Sequence, residues 1–517
     1  MSLADILSAE VQPEVIGKYT LSKFDGKREV VLVATPEQEA IIDFVLSCND
    51  NLMIDALAGA AKTSTLEFIC KYHPVQPILC LAFNKRIADE MSKKLPGHVT
   101  CLTLNSQGHR VWMKTCSRKV TLDARKSYTI LKQIVDALPR NQRSAAYDVF
   151  GETLKAVNKA KIAGYIPEGK YPQATRLISN EEFWTSQDED DVDMELVDQA
   201  LTESIRQAYL GNIDFDDQLY MPTLFGGIFP RYPLVMCDEV QDLSEINHAM
   251  LTKLVTQRLI AVGDPFQSIY HFRGAKSSGM GSMKEQFKMQ EMGLSVSFRC
   301  PREVVKNAWF RVPHMKWPEW AAEGQVRSLD HWTADSIEDG AAIICRNNAP
   351  LITLAFKLLK RGRGVKLVGF DIGPNLIKTM KKFGSDLMSQ DEVFNAIDRW
   401  KSEKLLKGKG EAGIHDKAEC MCVFAGFGPT LAAAIAYAED MFRRSGPIQL
   451  LSGHKSKGLE WDVVYHLDAW RIPSTYAVSE EEQEQEQNIR YVIETRAKKA
   501  LYLVDMKTFE KKEEEDG

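Results

Sequence analysis

The run Leu52-Met-Ile-Asp-Ala-Leu-Ala-Gly-Ala-Ala-Lys-Thr-Ser-Thr65 sets an apolar stretch, a turn of small residues and a Lys-Thr pair one after another. Small residues let backbone N–H groups close on a polyphosphate, and a helix opening at Lys62 adds the partial positive charge of its N-terminus. Lys62 then reaches the outer phosphates and the Thr63 hydroxyl a magnesium ion, which is the chemistry of a phosphate-binding loop. The general pattern has glycines where this chain has Ala56 and Ala61, and only Gly59 remains inside the loop. A plain strand, turn and helix also fits the run.

A second run, Pro233-Leu-Val-Met-Cys-Asp-Glu-Val-Gln-Asp242, ends an apolar strand in two adjacent carboxylates. Asp238 suits a magnesium ion held through its water shell, and Glu239 suits a general base that polarises an attacking water. Alone, this too is a strand capped by a solvated acidic turn. In this order along one chain, the two runs point to hydrolysis of a nucleoside triphosphate.

Such groups need strands to carry them. Short apolar runs rich in β-branched residues recur at Leu52–Ala56, Ile78–Phe83, Val99–Leu104, Leu234–Cys237, Leu259–Val262 and Leu294–Phe298, each reading as a strand buried on both faces. Helical stretches follow some of them, at Lys62–Tyr72 and Lys85–Lys94. A second set lies at Ala341–Cys345, Val365–Val368, Ile448–Leu451, Val463–Leu467 and Ala500–Val504. The alternation predicts an α/β chain with two parallel sheets.

Two helical segments interrupt these sets. One includes Tyr128–Leu138 and Val192–Leu210; the other runs from about Gly373 to Gly446 and holds the basic, aromatic stretch Arg399-Trp-Lys-Ser-Glu-Lys404. The expected partition is 1–108 with 213–292 as a first domain, 109–212 as its helical insertion, 293–372 with 447–508 as a second domain, 373–446 as its smaller insertion, and 509–517 as an acidic tail. The acidic runs Asp188–Glu195, Glu480–Glu486 and Glu513–Asp516 read as solvated loops or ends.

Composition narrows the classes. The 517 residues are 26% charged and 44% hydrophobic, which excludes disordered, collagen-like and coiled-coil chains. Lys plus Arg number 65 against 71 acidic residues, so any nucleic-acid site is local rather than spread over a basic surface. The 10 cysteines lie in apolar runs, and Cys420 with Cys422 lacks metal-ligand spacing, as expected of reduced thiols. The start, Met-Ser-Leu-Ala-Asp, lacks a signal peptide's cationic and apolar segments, and no apolar run has the length of a membrane span; an intracellular, soluble protein is expected.

Asp238-Glu-Val-Gln-Asp242 is followed by Val262-Gly-Asp-Pro-Phe-Gln-Ser-Ile-Tyr-His-Phe-Arg-Gly-Ala275, and with this string the chain resembles the UvrD/Rep family of superfamily-one DNA helicases. Thr35-Pro-Glu-Gln38, Ala82-Phe-Asn-Lys85, Thr103-Leu-Asn-Ser106, Ser297-Phe-Arg-Cys-Pro301, Gly453-His-Lys-Ser-Lys-Gly-Leu-Glu-Trp-Asp462 and Tyr491-Val-Ile-Glu-Thr-Arg-Ala-Lys498 match in family order, from about residue 35 to 505. Within the family, the flavour is close to the F-box DNA helicase branch and to phage or bacterial enzymes.

The resemblance implies two RecA-like P-loop domains with ATP between them. Gln38 would read the adenine edge, Phe298 would stack on the base and Glu460 would bond the ribose. Ala58, Gly59, Ala60, Ala61, Lys62, Thr63 and Ser64 would wrap the phosphates, with Thr63 and Asp238 at magnesium. Glu239, Lys62 and Gln267 would serve hydrolysis, joined by Arg299 and Arg496 as the two arginines that approach the γ-phosphate. Phe83, Asn84, Lys85, Asn105, Tyr270, Phe272, Arg273 and His454 would line a channel for single-stranded DNA, with Asn105 where histidine is frequent and Phe272 where tryptophan is.

The activity so implied is that of an ATP- and Mg2+-dependent DNA helicase or single-strand translocase, moving 3′ to 5′, in replication, recombination or repair. A DNA-stimulated ATPase switch or loader without processive unwinding is the alternative, and a small-molecule kinase or GTPase is a more distant one. The expected partners are single-stranded DNA, its junctions with duplex, and replication or repair proteins. A monomer is expected, without a membrane, in the cytoplasm of a bacterium or phage-infected host, or in the nucleus if the source is eukaryotic.

Overall fold

Two six-stranded, wholly parallel sheets organise the chain in a computed structural model that describes residues 17–24, 29–185, 192–269, 279–369, 372–406 and 410–510. In the first, the strand order is Gln290–Leu294, Leu52–Ala56, Val255–Gly263, Tyr232–Cys237, Ile78–Ala82 and Val99–Thr103. In the second, it is Gln325–Leu329, Ala497–Val504, Trp461–Leu467, Ala342–Cys345, Ile448–Ser452 and Val365–Leu367. Helices cover both faces, so inner strands such as Ile78–Ala82 are buried at every position and show no polar alternation.

The strand expected at Leu294–Phe298 lies four residues earlier, at Gln290–Leu294, where Gln290 pairs with Leu52 and Leu294 with Ala56. It is an edge strand with Gln290, Glu291 and Gly293 exposed, so its sequence is polar where an apolar run was sought. Beyond Leu294 the backbone leaves the sheet. The Ser295 N–H donates to the Glu37 carboxylate (2.8 Å), and the Phe298 N–H donates to the Gly59 carbonyl (2.9 Å). Strand Gln325–Leu329, absent from the sequence reading, is polar for the same edge-of-sheet reason.

Helices Lys62–Tyr72 and Lys85–Lys94 occupy their expected ranges. Glu480–Glu486, expected as a solvated loop, is instead the first half of helix Glu480–Glu494. Ser479 and Glu482 form a capping box there, and glutamates in the first turn suit the helix dipole. Glu486 is buried against Arg346 at 2.6 Å. Of the acidic run at 188–195, Asp193 caps helix Met194–Tyr209, while residues 188–191 and the run at 513–516 lie outside the described residues.

The first helical segment packs Lys126–Ala137, Phe150–Ala163 and Met194–Tyr209 around Ile130, Leu131, Val157 and Leu201. The second packs Gln390–Leu405, Glu411–Phe427 and Leu431–Arg443 around Ile397, Met421 and Leu431. The boundaries drawn at 108/109 and 372/373 fall inside helices Leu104–Cys116 and Ile372–Met380. Phe509 is buried with its ring 4.7 Å from Trp332, so it belongs to the packed second domain rather than to a tail. No described helix is long and apolar enough to cross a membrane.

One apolar cluster joins the two halves. It runs from Ile54 and Leu66 through Leu57, Ala58 and Ala60 to Val304, Tyr491 and Val492. The back of the small-residue loop is therefore packed against the second half of the molecule.

Candidate nucleotide cleft and strand channel

Most groups singled out around the nucleotide emerge near the C-terminal end of a parallel strand or the loop after one, where open α/β sheets bind ligands, whereas Gln38 lies in helix Pro36–Ser47 and Glu460 and Arg496 stand just before strands Trp461–Leu467 and Ala497–Val504. Strand Leu52–Ala56 delivers the loop, strand Tyr232–Cys237 delivers Asp238 and Glu239, and strand Val255–Gly263 precedes Asp264 and Gln267. In the loop, the Ala60 N–H donates to the Leu57 carbonyl (3.0 Å), Gly59 has φ +75°, and Ala61 has φ 56° and ψ 36°. Ala61 thus adopts the left-handed conformation that glycine takes freely and alanine at a cost of about 1–2 kcal/mol. That strained residue is the cap from which helix Lys62–Tyr72 starts, leaving Lys62, Thr63 and Ser64 partly exposed at its N-terminus.

Lys62 donates to Glu239 Oε1 (3.1 Å), with 15% and 19% of the two side chains exposed. Burial alone would lower the Lys62 pKa, but the charges of Glu239, Asp238 and Asp264 raise it. Glu239 would be raised by burial, yet Lys62 and then Lys457 hold it well below the usual carboxylate range. Asp238 is pushed the other way, by burial and by Glu239 beside it. Its Oδ1 accepts the Glu239 N–H (2.9 Å), and it has no ion-pair partner among the described residues. Asp238 is a buried carboxylate with unfilled acceptor capacity, and Thr63 carries a hydroxyl in the first turn of a helix; both are oxygen donors of the kind magnesium takes.

The second half of the molecule contributes from above. A Cβ on Gly59 would lie 2.6 Å from Arg299 Cβ and 2.7 Å from Ser297 Oγ, so the segment 297–299 rests directly on the loop. Arg299 donates to Glu460 (2.6 Å). Arg496 is 1% exposed and donates to Gln267 Oε1 (3.1 Å) and to the Val492 carbonyl (2.8 Å). Burial and the neighbouring Arg299 pull its pKa down to about 10. Phe298 is 38% exposed at the loop. Gln38 is buried: its amide accepts the Thr35 N–H (3.0 Å) in a capping box and donates to Thr65 Oγ1 (2.9 Å).

Several residues of this network escaped the sequence reading. The Gln241 amide donates to Glu239 (2.6 Å) and accepts the Asp264 N–H (3.1 Å), while Asp264 accepts from Gln267 (2.6 Å). Tyr491 accepts the Ala58 N–H (3.0 Å), so a second-domain phenol holds the start of the loop. Lys457 joins Asp242 (2.6 Å) and the Gln267 carbonyl (2.6 Å) across the two halves. All lie within the motif runs already quoted, and that proximity was the available signal.

On the other side of the strand ends, Phe83 is half-buried and Asn84 caps helix Lys85–Lys94 by accepting the Ile87 N–H (3.0 Å), with Lys85 exposed. Asn105 donates to the Phe215 carbonyl (2.8 Å), and His454 lies on the short helix Gly453–Ser456 after strand Ile448–Ser452. These residues follow strand ends of both sheets. Tyr270, Phe272 and Arg273 lie outside the described residues.

Comparison with known proteins gives two family matches: the UvrD/REP helicase N-terminal domain over residues 34–288 and the UvrD-like helicase C-terminal domain over residues 431–508. Together they cover more than half of the chain, in family order. The chain is 24% identical to F-box DNA helicase protein 1 of Schizosaccharomyces pombe, over 91% of this chain and 57% of that one. It is 23% identical to F-box DNA helicase 1 of Gallus gallus, over 91% and 49%. To the ATP-dependent DNA helicase PcrA of Staphylococcus aureus it is 25% identical, over 57% and 43%. The chain thus spans about half the length of the curated relatives it matches.

Proposed function

The chain belongs to the UvrD/REP family of helicases, and on that premise we propose that it hydrolyses ATP in the cleft between its sheets and uses the cycle to move 3′ to 5′ along single-stranded DNA and separate duplex. The convergence of Lys62, Glu239 and Gln267 from one half with Arg299 and Arg496 from the other carries this reading. Hydrolysis that depends on both halves can change the angle between them. The two parallel-sheet bodies are read as RecA-like domains with the partition given above, except that residue 509 joins the second.

In this reading Ala58 to Ser64 cradle the phosphates with backbone N–H groups, and Lys62 leaves Glu239 for the outer phosphates. Glu239, held ionised, accepts a proton from the attacking water. Arg299 and Arg496 meet the charge that develops as the bond breaks, and Gln267 reports the γ-phosphate to the strand side. Thr63 and Asp238 would hold Mg2+, which when bound neutralises charge on the phosphates. Phe298 faces the base, Glu460 turns from Arg299 to the ribose, and Gln38 reads the adenine edge. Phe83, Asn84, Lys85, Asn105, His454, Tyr270, Phe272 and Arg273 contact the strand by stacking and phosphate bonding. Replication, recombination or repair is the proposed setting, with strand–duplex junctions as the substrate.

The test is ATP hydrolysis with and without single-stranded DNA, with Lys62→Ala as control. Turnover stimulated several-fold by DNA and abolished in the variant is expected. Turnover indifferent to DNA would remove the coupling on which the motor reading depends. Ala61, strained inside the loop, favours one variant of this reading, a DNA-stimulated switch without processive unwinding; a strand-displacement assay separates the two.

A further inference from the structure

Three consecutive backbone carbonyls that follow the first-half strand Val255–Gly263 accept hydrogen bonds from side chains of the other half. Lys457 Nζ donates to the Gln267 carbonyl (2.6 Å), Asn488 Nδ2 to the Ser268 carbonyl (3.1 Å) and Gln485 Nε2 to the Ile269 carbonyl (2.9 Å). All three residues of the segment are buried. A buried carbonyl costs free energy unless a donor reaches it, so this segment keeps its place while the second half stands over it.

Two of the three donors belong to one helix. Gln485 and Asn488 are three residues apart on helix Glu480–Glu494 and share a face, which Tyr491 continues. Tyr491 accepts the Ala58 N–H (3.0 Å) at the start of the phosphate loop, and Arg496, just past the helix, donates to the Gln267 side chain (3.1 Å). The Asn488 amide has a fixed sense, because its Oδ1 accepts from Arg311 Nε (2.9 Å) and Nδ2 is left for the Ser268 carbonyl. At the other end, Gln485 borders the cavity that holds His454, and Ile269 directly precedes Tyr270 in the chain. One helix face thus runs from the phosphate loop to the side where the candidate strand residues lie, over about 9 Å between residues 485 and 491.

We infer that Asn488 and Gln485 are positioning residues that act through the Ser268 and Ile269 carbonyls. They carry movement of the second half into the segment leading to the strand contacts, and so set how strongly ATP and single-stranded DNA influence each other. This deepens the ATP-driven motor proposed above and rests on it. When the halves part, the two carbonyls lose their donors, so the segment has one arrangement with the cleft closed and another with it open. Coupling between separate sites requires an element of that kind.

The test uses the purified chain with ATP, a non-hydrolysable ATP analogue and a single-stranded oligothymidylate. Asn488→Asp keeps the oxygen that takes Arg311 and removes the N–H. Gln485→Met removes the other donor at a partly exposed position, which spares the core if the buried change does not fold. In both variants the stimulation of ATP turnover by saturating DNA is expected to fall about tenfold, with the KM for ATP and the turnover without DNA unchanged. The factor by which the analogue changes the DNA Kd shrinks toward one, and Gln485→Lys, which restores a donor, recovers most of it. A purely structural role lowers the melting temperature and leaves that factor at its parent value. Parental stimulation with an undiminished factor in both variants overturns the inference while the motor stands. So does weaker DNA binding by Gln485→Met without nucleotide, which would make Gln485 a strand contact. A parent chain that DNA does not stimulate overturns the motor reading and the inference with it.

Discussion

Two groups of lysines and carboxylates among the described residues are built differently. Where the first helical segment meets the residues after it, Lys126 meets Asp217 (2.6 Å), and Lys161 meets Asp214 (2.6 Å) and Asp217 (2.8 Å), with both lysine side chains 0% exposed. Ser127 adds a bond to Asp214 (2.7 Å), and Lys126 one to the Ser204 carbonyl (2.7 Å). Two positive charges there face two negative ones. At the cleft, Lys62 pairs only with Glu239, both keep some exposure, and Asp238 and Asp264 have no ion-pair partner among the described residues. A group that neutralises itself away from water serves the fold, whereas one left with unmatched carboxylates at an open mouth is arranged for something that arrives.

That contrast can be broken from either side. The largest effect is expected at the cleft: Glu239→Gln should reduce ATP turnover about 10²- to 10⁴-fold, the range for loss of a general base, with ATP affinity and melting temperature nearly kept. Turnover at the parent rate in a phosphate-release assay would move the base elsewhere. In the insertion the consequences reverse. Lys161→Met leaves Asp214 and Asp217 short of a counter-charge and should cost about 3–5 kcal/mol in denaturant unfolding, with turnover per folded molecule unchanged. A cost below about 1 kcal/mol would mean that the cluster does not hold this segment together. The smallest effect belongs to Ala61→Gly, which relieves the left-handed alanine and should stabilise the chain by about 1 kcal/mol, read as a rise in melting temperature. No rise would show that the loop draws its conformation from its contacts rather than against them.

What was legible in the sequence follows the same physics. Strands Leu52–Ala56 and Ile78–Ala82 were visible because helices on both faces leave them almost wholly apolar, with Asp55 the one charged residue of the two. Edge strands Gln290–Leu294 and Gln325–Leu329 were not, since their mostly exposed residues read as loop, whereas the edge strands Val99–Thr103 and Val365–Leu367 lie in runs apolar enough to be read. The acidic run at 480–486 was misread because a helix N-terminus welcomes the glutamates that a solvated loop also tolerates. In the cleft, Lys62 and Asp238 to Glu239 stood out through their local spacing. Lys457 with Asp242 and Tyr491 with Ala58 are separated by 215 and 433 residues, and no local pattern encodes such a pair.

Gly59 has a mechanical meaning beyond its turn. The hydrogen atom it carries in place of a methyl group faces Arg299 and Ser297 of the opposite half, at distances that leave no room for another carbon. The loop therefore sets how closely the two bodies can approach, as a spacer sets the closing of a hinge. A side chain at position 59 would prop the jaw open by its own thickness and draw the roofing segment, with Arg299, away from the phosphates by the same amount.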